Sequence, residues 1–135
     1  MGEVEEITKR NKSIEEVNLM PPLVWAYIGD VVYELYIRTK LVETTKLNPH
    51  KLHVETTKYV KAKAQAETLE RIMKYLTEEE KDIVRRGRNA QNHHLPKNAS
   101  IAEYSHATAY EGLIGYLYLT KQEKRLNEIL NEKID

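Results

Sequence analysis

The sequence predicts a single all-α domain, and three observations carry that prediction. Apolar residues recur three and four apart along the chain, and no stretch keeps the alternation of period two that a half-buried strand requires. Capping boxes at Ser13-Ile-Glu-Glu16, Thr77-Glu-Glu-Glu80 and Ser100-Ile-Ala-Glu103 mark helix starts. Proline stands where a helix begins at Pro21-Pro22 and at Asn48-Pro49, the first-turn position that tolerates its missing N–H. A chain of 135 residues suffices for one core of its own. Charged residues make up 31% with a formal net charge of 0, so any nucleic-acid binding must come from local basic patches. The absence of cysteine excludes disulfides and thiolate chemistry and fits a reducing, cytoplasmic compartment.

Residues 1–20 are mostly polar and charged and read as a loosely ordered N-terminal arm with one short capped helix; residues 21–135 form the domain. Leu23 to Val42, the most apolar run, reads as a buried helix. It is long enough to span a bilayer, but Asp30, Glu34, Arg38 and Lys40 would each cost about 2.5–3.5 kcal/mol near the bilayer centre, and no signal peptide precedes it. Asp30 is boxed in by Ile28, Val31 and Val32, with no lysine or arginine within one turn; Arg38 is better placed to pair with Glu34 at i,i+4. A carboxylate so placed must be neutralised, hydrogen-bonded or bound to a cation.

From Asn48-Pro49 a helix of about 25 residues is expected through Leu76, with a place for a break near Val60. Leu52, Tyr59, Ala62, Ala66, Leu69, Ile72, Met73 and Leu76 form its apolar stripe, and Lys51, Lys58, Lys61, Lys63 and Arg71 its basic charge. The helix capped by Thr77 runs to about Arg86 and is polar enough to lie on the surface. Arg85 to Lys97 reads as a long loop, with Gly87 as a helix stop. Ser100 then opens a helix to about Leu119 that embeds Glu111, and an amphipathic helix from Glu123 to about Lys133 closes the chain on Leu126, Ile129 and Leu130.

Two helices thus carry one acid each among apolar neighbours. Brought together, Asp30 and Glu111 would make a divalent-cation site, for which magnesium is suited because it is held by one or two carboxylates plus substrate phosphates. The bland alternative for Asp30 is a cap or hydrogen bond inside the fold, or a place at a water-filled edge, and for Glu111 an interhelical hydrogen bond. Gly112 and Gly115 flank the second acid; glycine inside a helix costs about 1 kcal/mol against alanine, which suggests a close approach there. His50 and His53 lack a third ligand for zinc, and His93 and His94 read as solvated loop residues. Arg85, Arg86, Arg88 and Lys97 bracket the loop; guanidinium groups suit phosphate oxygens, which points toward a phosphodiester substrate.

At these residues the chain resembles a known family. Tyr27-Ile-Gly-Asp-Val-Val-Tyr-Glu34 is similar to the Gly-Asp signature helix of the ribonuclease III endonuclease domain, and Ala109-Tyr-Glu-Gly-Leu-Ile-Gly-Tyr-Leu-Tyr-Leu119 to its second acidic helix. From about Pro22 to Leu130 the chain resembles the small branch called Mini-ribonuclease III, with further matches at Lys61-Ala-Lys-Ala-Gln-Ala-Glu67, Glu78-Glu-Glu80, Arg86-Gly-Arg-Asn-Ala90 and Pro96-Lys-Asn98. Larger members carry a glutamate one turn before the signature aspartate and an aspartate three positions before the second acid; here Ala26 and Thr108 stand there, in agreement with the small branch.

The resemblance implies the family's helical fold without a double-stranded-RNA-binding domain, and a homodimeric, magnesium-dependent endonuclease acting on double-stranded RNA. Asp30 and Glu111 would be its catalytic metal ligands. The inherited substrate is the stem flanking the large-subunit (23S) ribosomal RNA precursor. Arg85, Arg86, Arg88, Asn89 and Lys97 are the expected RNA contacts, with Lys58, Lys61 and Lys63 behind them. The dimer is expected through the 22–42 helix, with Trp25 and Tyr33 on faces a small domain can hardly cover. One rival is a non-catalytic RNA-binding or ribosome-assembly factor using the basic loop 85–97. The other is a helical nucleotide pyrophosphohydrolase, for which Glu67, Glu70 and Glu78 to Glu80 look too exposed.

Overall fold

The computed structural model describes residues 13–90 and 100–134, which form helices and turns with no strand among them. In chain order these are α1 (Ile14–Asn18), α2 (Pro22–Thr44), α3 (Pro49–Val60), α4 (Ala62–Ile72), a 3-10 turn (Met73–Tyr75), α5 (Glu78–Arg88), α6 (Ile101–Leu119) and α7 (Glu123–Leu130). The capping boxes at Ser13, Thr77 and Ser100 close as the sequence predicts. Asn48 caps α3 by accepting from the Lys51 N–H at 2.9 Å. Lys61, with extended ψ of 153°, separates α3 from α4 at the expected break.

The core is built on α6. Ala109, Tyr110, Leu113, Ile114 and Leu117 have no exposed surface, as a helix apolar on all sides requires. α2, α4 and α5 pack around it and α7 closes one side. Two aromatic pairs pin α2 to α6: Trp25 meets Tyr116 edge-on with centroids 5.3 Å apart, and Tyr33 meets Tyr110 at 5.2 Å. Such pairs add about 0.5–1.5 kcal/mol each beyond the area they bury. Among the described residues, no helix is long and apolar enough to cross a membrane.

Trp25 and Tyr33 are buried within the subunit, so they cannot supply a dimer surface. The apolar residues α2 leaves outside are Val24, Tyr27, Val31, Leu35 and Val42. The chain just before α2 is docked rather than loose: Val17 is fully buried and its carbonyl accepts the Trp25 indole N–H at 2.8 Å. α5 is not a surface helix. It buries Glu80, Ile83, Val84 and Gly87, a stripe at helical spacing, and Glu80 stays charged there because the Arg125 guanidinium grips both its oxygens at 2.7 and 2.8 Å. Gly87 does not stop the helix; a Cβ there would stand 3.0 Å from the Ala109 Cα, so its smallness serves packing of α5 on α6.

Candidate active site

The site arises where α2 and α6 cross with their backbones in contact. A Cβ placed on Gly29 would lie 1.7 Å from the Glu111 carbonyl oxygen, and one on Gly115 would lie 1.8 Å from the Trp25 carbonyl oxygen. Only glycine permits this approach. Gly112 plays a lesser part, since a Cβ there would meet only the Pro22 carbonyl oxygen at 3.9 Å. Asp30 follows Gly29 directly, so the crossing that brings Gly29 onto Glu111 also brings the two acids together.

Asp30 is exposed rather than boxed in; the apolar face of α2 that flanks it is itself open. Glu111 is the sequestered partner. Its carboxyl pKa is pushed up to about 8 by burial, and further by the hydrogen bond to Asp30 and by that residue's charge, against the pull of the Gln65 amide. Gln65 donates from Nε2 to Glu111 Oε2 at 3.3 Å. At neutral pH without a cation, the Glu111 carboxyl therefore keeps its proton and shares it with Asp30.

Paired carboxyls, one held protonated against its usual tendency, form a place that a divalent cation can take in exchange for a proton. The donors are hard oxygens, which suit magnesium. Among the described residues no three His, Cys, Asp or Glu side chains gather for a metal; a cation at this place would have two carboxylates beside it. Ala26 and Thr108 are both buried and supply no carboxylate.

The raised Glu111 pKa gives a pH dependence. Between the ordinary value of 4.5 and about 8, the metal-free folded chain holds a proton that the unfolded chain releases. Stability from this group is therefore fullest below 4.5 and is lost as pH rises through about 8. Thermal unfolding in chelator should show the parent falling relative to Glu111→Gln across that window, and flattening above it.

The expected RNA contacts divide. Arg85 lies exposed on α5, paired with Asp82. Arg88 ends α5 and Asn89 caps it, both exposed. Lys61 and Lys63 are exposed within one turn of Gln65. Lys63 and Arg88 line a common cleft with His106, about 360 Å³ in volume. Lys58 pairs with Glu55 at 2.7 Å. Lys97, His93 and His94 lie outside the described residues. Arg86 turns inward: its guanidinium lies 4.6 Å from the centre of the Trp25 ring and donates to the Asn18 carbonyl oxygen at 2.7 Å. Because the guanidinium stacks on Trp25 and bonds Asn18 inside the fold, Arg86→Ala should cost about 1–3 kcal/mol of stability. It should leave the salt dependence of RNA binding unchanged, whereas Arg88→Ala should lower the slope of log K against log salt by about 0.9.

Gln65 was not among the expected site residues. Its signal in the sequence is a polar side chain four positions before Leu69 and seven before Ile72, on the stripe that α4 buries; a buried amide in such a place needs a partner.

The family model described as Ribonuclease III domain matches residues 23–122. A protein named Mini-ribonuclease 3 from Thermoanaerobacter sp. (strain X514) is 54% identical over 116 residues, covering 86% of this chain and 82% of that one. One of the same name from Staphylococcus aureus (strain NCTC 8325 / PS 47) is 45% identical over 126 residues, covering 92% and 94%. The crystal structure of Protein FN1578 from Fusobacterium nucleatum superimposes with a TM-score of 0.75 at 30% identity, covering 94% of this chain and 93% of that one.

Proposed function

Because the chain belongs to the ribonuclease III domain family and is an endoribonuclease of that type, we propose that it cuts double-stranded RNA with a magnesium ion held by Asp30 and Glu111. The observation that carries this reading is the meeting of Asp30 and Glu111 at a backbone-to-backbone helix crossing. When bound, the ion supplies charge neutralisation at the scissile phosphate and a lowered pKa for the attacking water. Asp30 and Glu111 would hold the ion, Glu111 as the deprotonated carboxylate and Asp30 from the exposed side of the site. Water oxygen bonds to phosphorus and releases one proton to solvent, the bond from phosphorus to the 3′-oxygen breaks, and that oxygen takes up one proton. The products are a 5′-phosphate and a 3′-hydroxyl, and no side-chain nucleophile takes part.

The deep major groove of A-form RNA hides its bases, so recognition rests on shape, phosphates and 2′-hydroxyls. We assign these contacts to Arg85, Arg88, Asn89, Lys61 and Lys63, with Lys97 beyond the described residues. The similarity to proteins named Mini-ribonuclease 3 supports the endoribonuclease reading; we propose further that the chain works in the cytoplasm and trims the double-stranded stem of the 23S ribosomal RNA precursor, as the resemblance of its motifs to that branch implies. Incubating the purified protein with a long RNA duplex, with and without magnesium, and mapping the new ends tests the activity. Uncut duplex, or 5′-hydroxyl ends, would overturn it.

A homodimer is supported by the exposed side of α2. Tyr27 is 76% exposed, Val31 and Leu35 64% each and Val42 65%, and Val31 and Leu35 are one helical turn apart. In a two-fold interface each substitution counts twice. Burying one such side chain contributes about 1.5–3 kcal/mol, so Val31→Glu should weaken the dimer about 100-fold or more. Sedimentation equilibrium measures this, and an unchanged dimer constant would remove α2 from the interface.

A further inference from the structure

We infer that Gln65 is a positioning residue of the cation site: its buried side-chain amide holds the Glu111 carboxylate in the orientation that lets it share a divalent cation with Asp30. This deepens the nuclease reading and rests on it.

Gln65 is 2% exposed and stands on the face of α4 that also buries Thr68, Leu69 and Ile72. A primary amide in that setting is costly unless it is hydrogen-bonded, whereas leucine or methionine could fill a similar volume without that demand. The bond the amide makes reaches out of its own helix to Glu111 Oε2. Its chemistry suits the task. A lysine or arginine at this place would compete with the cation for Glu111, and a glutamate would add a like charge beside two acids already in contact. A neutral donor does neither. It fixes one carboxylate oxygen, Oε2, through a hydrogen bond and brings no charge to the pair. Ala26 and Thr108 bring no carboxylate to the site, and among the described residues no third His, Cys, Asp or Glu joins the two acids. Most of the protein's hold on the ion therefore depends on how well these two acids are aimed. Outer-shell partners of this kind typically change metal affinity or activity by 10- to 100-fold.

The test uses Gln65→Leu and Gln65→Met, which keep the volume and delete the amide. Binding of Mn²⁺ to metal-free protein is followed by the loss of the free-ion signal in electron paramagnetic resonance, and the Mg²⁺ midpoint for duplex cleavage is measured beside it. Both variants should bind Mn²⁺ about 10- to 100-fold more weakly and raise the Mg²⁺ midpoint by a similar factor, with KM for duplex unchanged and most of kcat recovered at saturating Mg²⁺. A second measurement needs no variant: in the parent, the Gln65 side-chain amide resonance should shift as Mg²⁺ is added. Mn²⁺ affinity and Mg²⁺ midpoint within about twofold of the parent, or an amide resonance that ignores Mg²⁺, would overturn the role of Gln65. Asp30→Asn and Glu111→Gln separate the two failures. If they bind Mn²⁺ and cut as the parent does, the cation site itself is wrong; if they fail while the Gln65 variants behave as parent, only the positioning role is lost.

Discussion

Asp30→Asn is expected to lower cleavage of duplex RNA by about 1000-fold or more, and Glu111→Gln to do the same. Each substitution keeps the side-chain shape and removes one of the two negative charges available to hold a cation. Lewis-acid stabilisation of a phosphoryl transition state amounts to several kcal/mol, and about 4 kcal/mol corresponds to roughly a thousandfold in rate. Duplex affinity should not fall, because the removed charge repels phosphate and the basic contacts are untouched. The pair also differs in a useful way. Asp30 is exposed, so its replacement should leave stability almost unchanged, while Glu111→Gln replaces a buried carboxyl whose pKa stands at about 8 and should remove the pH dependence described above. Single-turnover cleavage and a binding assay in Ca²⁺ check both; a variant that cuts at the parental rate removes its residue from the site. A non-catalytic RNA-binding protein would show no such loss.

The second large effect is expected at the helix crossing. Gly29→Ala places a methyl group where the Glu111 carbonyl oxygen now stands, and Gly115→Ala does the same against the Trp25 carbonyl oxygen. Backbone cannot yield as a flexible side chain can, so α2 and α6 must separate. Overpacking a core usually costs about 1–3 kcal/mol, and a clash with main chain on the best-buried helix should reach the top of that range or exceed it. Domains of this size have only about 5–15 kcal/mol of stability to lose. Even a folded Gly29→Ala protein should cut poorly, because the displaced backbone belongs to Glu111 itself. Gly112→Ala is the control: the space there is ordinary, and removing a helical glycine should leave stability the same or raise it by up to about 1 kcal/mol. Urea unfolding of the three variants gives the ranking.

Much of this was legible in the sequence, and the misreadings share a cause. Caps are local, so Ser13, Asn48, Thr77 and Ser100 announce their helices correctly. The two acids stand out because carboxylates are rare in apolar helices. What a single sequence could not resolve was which side of α2 faces inward, since Trp25 and Tyr33 on one face and Tyr27, Val31 and Leu35 on the other are equally apolar. Asp30 looked enclosed for that reason. Gly87 and Arg86 were misjudged because their partners are remote: Ala109 for the glycine, Trp25 and Asn18 for the arginine. A helix-ending glycine and a helix-packing glycine are spelled alike. Gln65 escaped notice because the meaning of a buried amide depends on a carboxylate contributed by another helix.

In the proposed mechanism Asp30 and Glu111 hold one hydrated cation between them. Crystals of the protein soaked in Mn²⁺ and measured at the manganese absorption edge test it directly. An anomalous peak within ligand distance of both carboxylates, absent from Asp30→Asn crystals, is the predicted result. A peak bound elsewhere, or none beside these two residues in a protein that still cuts duplex RNA, would contradict it.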